Sequence, residues 1–212
     1  MLKEGDFVKI DFIERVEGKV WDTSLKDIGE KEGIKKEFKP ILVVIGAGYR
    51  LKGLEKALKG KNVGDHFKVE LEPKDAYGER NPKLISLVPM KYFKKNKITP
   101  YPGLVVSVDG LYGIVKSVSG GRVIVDFNHP LAGKKVEFEI WIKEKIDSKE
   151  EKVKELLKEI YKFDEKDFEI EIKDDKLLIK MKRKTPLEVM QIVVNDLKKW
   201  INFKTVEVSY VF

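Results

Sequence analysis

"ILVVIGAGYRLKGLEKALKG", residues 41–60, decides the fold. The apolar run from Ile41 to Ile45 reads as a short buried strand, Gly46 and Gly48 as a turn, and the stretch from Leu51 as an amphipathic helix ended by Gly60. A strand entering a helix through glycines is how a dinucleotide-binding loop begins. That loop needs a third glycine three positions after the second, where the helix packs against its strand. Leu51 occupies the place and Gly53 comes two positions late. Glu70 or Glu72 could hold a ribose, but acidic residues are too common here to discriminate. The turn is therefore not read as a phosphate cradle.

Working outward, "DFVKIDFIERV" (residues 6–16) alternates around Phe7, Ile10 and Phe12, and "HFKVELEP" (66–73) alternates again. These strands are too short, and their loops too varied, for a doubly wound parallel sheet; they predict one curled sheet around one helix. Phe7, Phe67 and Trp141 are expected in its core.

After "DAYGERNP" (75–82) the character changes. "GLVVSVDGLYGIVKSVSGGRVIVDF" (103–127) gives three strand candidates separated by Asp109-Gly110 and Ser119-Gly120-Gly121, a β-meander, with one turn of helix ahead of it in "VPMKYFKK" (88–95). "NHPLAGKKVEFEIWIKEK" (128–145) returns to an alternating strand whose Val136, Phe138 and Ile140 would face the first module. The middle segment thus reads as an insertion. Residues 83–131 carry 7 basic and 2 acidic side chains, most of the chain's net +7, which points to a surface with its own partner.

The last third opens with "SKEE" (148–151), a capping box with Ser148 as cap, and a second box follows at "TPLE" (185–188), with Thr185 as cap and Pro186 as the first helical residue. "FEIEI", a turn at Asp174 and Asp175, "KLLIKMK" and a final "TVEVSYVF" are the strands. Helix, strand, strand, helix, strand predicts a small two-layer α/β sandwich, whose open sheet face or edge could pair two copies of the chain as a homodimer.

Cysteine is absent, glutamine occurs once, and the two imidazoles, His66 and His129, are far apart in sequence. No disulfide framework or thiolate metal site can form, and no metal or cofactor is expected. Charged residues of both signs abound, as in heat-adapted proteins. The start "MLKEGDFVKI" has no apolar signal core, and no run approaches the roughly twenty apolar residues that span a bilayer. The expectation is a soluble, cytoplasmic protein without a membrane partner.

Four segments in order, "FIERVEGKVWDTS", "VIGAGYRLKGLEKALKGKNVGD", "DAYGERNP" and "NHPLAGKKVEFEI", resemble the FKBP-type peptidyl-prolyl isomerases, specifically the long archaeal kind related to SlyD. The resemblance covers about residues 1–146. It implies an α+β fold in three parts. Residues 1–83 and 131–146 would form an FKBP-like curled antiparallel sheet around one helix. Residues 84–130 would form an all-β domain inserted in the flap, and the third part, residues 147–212 beyond the resemblance, is the sandwich read above from its own element order.

The resemblance also implies site residues. Asp22 matches the pocket aspartate, Tyr77 the tyrosine that bonds the substrate carbonyl, and Phe138 the aromatic of the final strand. Phe12 stands where a tyrosine is usual, and Leu54 where a tryptophan can occur. Phe12 keeps an apolar wall but has no hydroxyl with which to position Asp22. Ile41 matches a side wall, Trp21 an aromatic beside the pocket and Leu51 the residue whose backbone amide contacts ligand carbonyls; Ala76 precedes Tyr77 on the substrate-binding side. The metal-binding tail of bacterial SlyD is not matched. For the insert the resemblance implies a chaperone surface for unfolded or nascent, proline-containing chains, with Leu87, Met90, Tyr92, Phe93, Tyr101, Leu104 and Val106 as candidates; Val88 and Tyr112 belong to the same apolar set, part of which must form the insert's own core. Basic residues among aromatics also suit single-stranded nucleic acid, but no RNP-like pattern appears, so nucleic acid is not the expected partner. A chaperone or scaffold that binds with little catalysis is the alternative.

Overall fold

The computed structural model describes residues 1–211, so Phe212, the last residue of the expected final strand, lies outside the described residues. The chain divides into two compact units. One comprises Met1–Ala76 together with the chain from Lys135 onward; the other is Tyr77–Lys134.

The first unit begins with β1 (Phe7–Val16), β2 (Lys19–Thr23), helix α1 (Lys26–Lys31) and β3 (Ile41–Val44). β1 is shared along its length: its first half pairs antiparallel with β3, from Phe7 opposite Val44 to Ile10 opposite Ile41, and its second half pairs with β2. Helix α2 (Lys52–Leu58) follows and packs against β4 (His66–Leu71). Gly53 explains the closeness of that approach. A Cβ there would stand 2.7 Å from the Leu71 side chain and 2.9 Å from the Asp75 carbonyl oxygen, so a larger residue would push the helix off its strand. The late glycine thus serves helix–sheet packing, with Leu54 and Leu58 buried beneath it.

The second unit holds β5 (Ile85–Pro89), α3 (Met90–Lys95), β6 (Val105–Val108), β7 (Leu111–Ser119) and β8 (Arg122–Asp126) in one antiparallel sheet of order β5-β8-β7-β6. The three meander strands and the short helix fall where the sequence predicts them. Asp109 and Gly110 both have positive φ (50° and 82°), the conformation a two-residue hairpin turn requires. The fourth strand, β5, was not expected. It is short and ends at Pro89, which an edge position tolerates because no ladder N–H is needed there. Val88, Phe93, Val106, Val115, Val123 and Val125 form its core. The unit is wider than residues 84–130 because its two ends bond to each other. Gly133 N–H donates to Gly78 O (2.8 Å), Phe127 N–H to Leu84 O (2.8 Å) and Asn81 N–H to Asn128 Oδ1 (2.8 Å).

The chain re-enters the first unit as β9 (Val136–Ile146), which lies between β1 and β4 and completes a five-stranded antiparallel sheet. Val136, Phe138, Ile140 and Ile142 are buried on its inner face. Trp141, expected in the core, alternates to the other face and stacks on His66, ring centroids 4.4 Å apart. Phe67 is also only half-buried, with Lys61 Nζ 4.6 Å from its ring centroid.

The remainder runs α4 (Lys149–Glu155), a π-helical turn (Leu156–Ile160), β10 (Phe168–Lys173), β11 (Lys176–Met181), α5 (Leu187–Ile201) and β12 (Thr205–Tyr210). β10 and β11 form a hairpin, and β12 pairs parallel to β11 after the α5 crossover. Ser148 caps α4, its Oγ accepting Glu151 N–H at 3.4 Å. The second capping box does not form. α5 starts after Pro186 without a side-chain cap bond, and the Thr185 hydroxyl is buried without a hydrogen-bond partner among the described residues. Phe7, Leu42, Val44 and Ile146 of the first sheet share one core with Leu157, Leu177 and Val193, so this segment has no hydrophobic core separate from the sheet before it.

Candidate active site

The sequence "WDTS" folds back on β1 because its small hydroxyl residues replace a strand's ladder partners. Thr23 Oγ1 donates to Phe12 O (2.8 Å) and Ser24 N–H donates to the same oxygen (3.0 Å), while Phe12 N–H donates to Ser24 Oγ (2.9 Å). The Phe12 backbone is thereby fixed on every polar atom. Phe138 enters from β9, opposite Glu14 of β1, and so sits diagonally from Phe12 on the same sheet face. Both rings are almost fully buried, their centroids 5.9 Å apart and tilted by 42°.

Asp22 of β2 stands opposite Glu14 of β1 in the ladder, on the same sheet face as the pair. Its Oδ1 accepts Thr23 N–H at 2.8 Å and the Lys36 ammonium at 2.6 Å. Lys36 Nζ lies 5.4 Å from the Phe12 ring centroid, so one cation touches both the carboxylate and the aromatic wall. Lys36 stands in a run of charges that carries no motif, and sequence reasoning missed it.

Ile41 and Leu51, both half-buried, stand at the two ends of the β3–turn–α2 segment. The buried Glu55 carboxylate organises the turn between them. Its Oε2 accepts Gly46 N–H (2.9 Å) and Gly48 N–H (3.0 Å), and its Oε1 accepts Arg50 N–H (3.0 Å). Arg50 Nε in turn donates to Leu42 O at 3.0 Å. Leu54 is buried one turn into α2. Trp21 is 50% exposed and, by strand alternation, projects from the side of β2 opposite to Asp22, so it is not brought to the Phe12–Phe138 pair. Ala76 ends the first unit with its N–H donating to Glu72 O and Pro73 O (both 3.1 Å).

Tyr77 begins the second unit. Its ring stacks on His129 with centroids 4.3 Å apart and planes 2° from parallel. His129 Nδ1 accepts Leu131 N–H (3.2 Å), and burial holds the imidazole below its ordinary value of 6.5, both of which favour the neutral ring. Asp126 anchors the same strand ends. Burial raises its carboxyl, but Asn128, which donates through its backbone (3.1 Å) and its side chain (2.8 Å), together with Arg80 and Lys116, more than reverses that and holds it below the usual range. "ERNP" and "NHP" are thus two halves of one network. Among the described residues no three of His, Cys, Asp or Glu converge as a metal would require.

The sequence profile of the FKBP-type peptidyl-prolyl cis-trans isomerases matches residues 1–95. A short-type peptidyl-prolyl cis-trans isomerase of Methanocaldococcus jannaschii is 34% identical over 147 residues, covering 68% of this chain and 94% of that relative. The chain belongs to the FKBP-type peptidyl-prolyl cis-trans isomerases. An FKBP-type 16 kDa isomerase of Escherichia coli K12 is 34% identical over 57% of this chain and 83% of its own length. A SlyD isomerase of Aeromonas hydrophila is 36% identical over 50% of each chain. The profile of the FKBP26 IF domain matches residues 86–131.

In this FKBP-type isomerase the insert candidates separate by strand alternation. Leu87 and Tyr101 are more than half exposed. Met90, Tyr92 and Leu104 are partly buried and pack against the insert core. Phe93 (0% exposed) and Val106 (5%) are that core and present no surface, which corrects their assignment to a chaperone face. The open face carries residues sequence reasoning passed over. Ile124 lies opposite Leu87 in the ladder, and Val105 and Ile85 flank the same face; Tyr112, already in the apolar set read from sequence, is the most exposed residue of that set. Once Val88, Val106 and Val123 are known to point inward, their neighbours must point out.

Proposed function

We propose that the chain catalyses rotation about X-Pro bonds in unfolded or partly folded polypeptides, and that the insert captures those chains. Amide rotation has a barrier of about 18–20 kcal/mol because the planar form has resonance. The twisted transition state loses that resonance, and its carbonyl carries less negative charge. A dry apolar pocket therefore favours the twisted form over the planar one, which water solvates better. A thousandfold acceleration requires only about 4 kcal/mol of such difference. In this reading Phe12, Ile41, Leu54 and Phe138 exclude water around the prolyl ring, the Leu51 amide holds the peptide, and Asp22 meets the carbonyl as it turns.

The observation that carries the proposal is the buried Phe12–Phe138 pair, with Lys36 joining the Phe12 ring to the Asp22 carboxylate. Turnover of a proline tetrapeptide by the wild type, Asp22→Ala and Phe138→Leu tests it. Loss of most of kcat/KM in both variants is expected, and turnover unchanged in both would sink it.

The exposed apolar face of Leu87, Ile124 and Tyr112 supports a client-capturing role for residues 84–130. Because the two units are one chain, a captured client meets the pocket at raised effective concentration. The same face favours a second reading, a chaperone that binds with little catalysis, which suppressed aggregation without accelerated refolding would establish. We read residues 147–212 as a two-layer α/β sandwich able to pair two copies. That reading rests on the edge strand β12 and the apolar groove of Leu187, Met190, Val194, Val208 and Tyr210 beside it. Cytoplasmic residence remains part of the proposal, and no helix among the described residues is long and apolar enough to cross a membrane.

A further inference from the structure

The turn that leads to Leu51 is held from outside the FKBP sheet. Tyr49 donates its hydroxyl to Asp196 Oδ2 on α5, and Tyr161, just beyond the π-helical turn, donates to the same oxygen. All three residues are partly buried, and desolvation followed by the Asp196 carboxylate pushes both phenols far up, so both remain donors. Asp196 is thus a double acceptor fixed by the C-terminal segment, with one of its donors on the catalytic turn.

A second strut reaches the other end of the same segment. Glu159 of the π-helical turn accepts the Lys39 ammonium at 3.0 Å, two residues before Ile41. Half-buried Arg50, whose guanidinium burial pushes down and the Glu159 and Glu55 carboxylates hold up, donates to Leu42 O. Ile41 and Leu51 therefore stand at the ends of a segment that the C-terminal region grips at Lys39 and at Tyr49.

Within the isomerase reading, which this inference deepens, we propose that Asp196 is a positioning residue for prolyl isomerisation, acting through Tyr49 to fix the Leu51 amide that receives the peptide carbonyl. Glu55 supplies the turn with its internal hydrogen bonds, but none of those bonds fixes the turn against the rest of the protein. The Tyr49–Asp196 contact does. A loosened turn still folds, yet the Leu51 N–H samples orientations that miss the substrate oxygen. Since that hydrogen bond exists in both ground and transition states, its loss appears in KM and leaves kcat nearly unchanged.

The test uses the full chain with Tyr49→Phe, Asp196→Ala and Tyr161→Phe. Tetrapeptide turnover gives kcat and KM, and amide exchange at Leu51 is followed by NMR. Tyr49→Phe and Asp196→Ala are expected to raise KM by about three- to tenfold with kcat within about twofold, and to speed Leu51 exchange. Tyr161→Phe, which leaves the Tyr49–Asp196 contact in place, changes KM by less than about twofold. Wild-type KM and exchange in both of the first two variants would overturn the proposal. So would an equal effect of Tyr161→Phe, which would mark general loosening of the C-terminal segment. Asp196→Ala removes the acceptor, leaves every side chain of the turn intact and decides the matter if Tyr49→Phe folds poorly. Should the wild type fail to turn over the peptide, the isomerase reading fails, while Leu51 exchange still reports whether the tether exists.

Discussion

Lys36 Nζ stands 2.6 Å from Asp22 Oδ1 and 5.4 Å from the centre of the Phe12 ring. Under the proposed isomerase reading, Phe12 lacks the hydroxyl that the family resemblance would place beside Asp22, and the Lys36 ammonium is the donor that Asp22 has instead. Both partners are about one third exposed, so the pair contributes under about 1 kcal/mol to stability and its effect is on orientation.

Lys36→Met should therefore fold with nearly wild-type stability and lose about three- to tenfold in kcat/KM. Adding Phe12→Tyr to that variant should restore at least half of the loss by returning a hydroxyl to Asp22. A Lys36→Met enzyme with full activity would show that Asp22 needs no such partner.

Removing Phe138 tests packing and chemistry together. Phe138→Ala should cost about 3–5 kcal/mol of stability, as buried aromatic truncations do. Phe138→Leu should keep most of that stability while losing the aromatic wall. Denaturant unfolding and tetrapeptide turnover on both variants separate the two effects.

His129 sets a pH dependence for the second unit. Burial lowers its folded value below the ordinary 6.5. The unfolded state then binds the proton more tightly, so the contribution to stability is complete above 6.5 and is lost as pH falls from there through the folded value. Thermal melts should show the wild type losing more stability than His129→Gln between about pH 7.5 and pH 5. Parallel losses would mean that the Tyr77–His129 stack tolerates the charged ring.

The network of Arg80, Asn81, Asp126 and Asn128 at the ends of the insert should be the most sensitive part of that unit. Asp126→Ala leaves Asn128 and Arg80 without their shared acceptor and should cost about 2–3 kcal/mol, read from chemical unfolding. A cost below about 0.5 kcal/mol would show that water replaces the network.

Client capture predicts a split between substrates. Tyr112→Ser with Leu87→Ser should slow catalysed refolding of a proline-limited protein by about tenfold and leave tetrapeptide turnover within about twofold. Equal losses on the two substrates would argue against capture by this face.

The alternation of β1 and β9, the helix after the glycine turn and the Asp-Gly hairpin were legible because each is a local pattern with its own periodicity. Asp22, Phe12 and Phe138 could be named from motif order. Lys36, Glu55 and Asp196 could not, because their roles depend on which distant backbone folds beside them. Thr185 shows the same limit: "TPLE" has the composition of a capping box, but α5 starts one residue later and the hydroxyl is left buried. Phe93 and Val106 were assigned to surface on residue type alone, and only the sheet's inward face shows that they are core.

The central claim is that X-Pro rotation occurs at the Phe12–Phe138 pair under Asp22. The most direct measurement is proline-limited refolding of a protein substrate by the intact chain, beside Asp22→Ala and Phe138→Leu. The account predicts fast wild-type catalysis that falls by about tenfold or more in each variant while aggregation is still suppressed. Wild-type refolding at the uncatalysed rate, or variants as fast as the wild type, would contradict it.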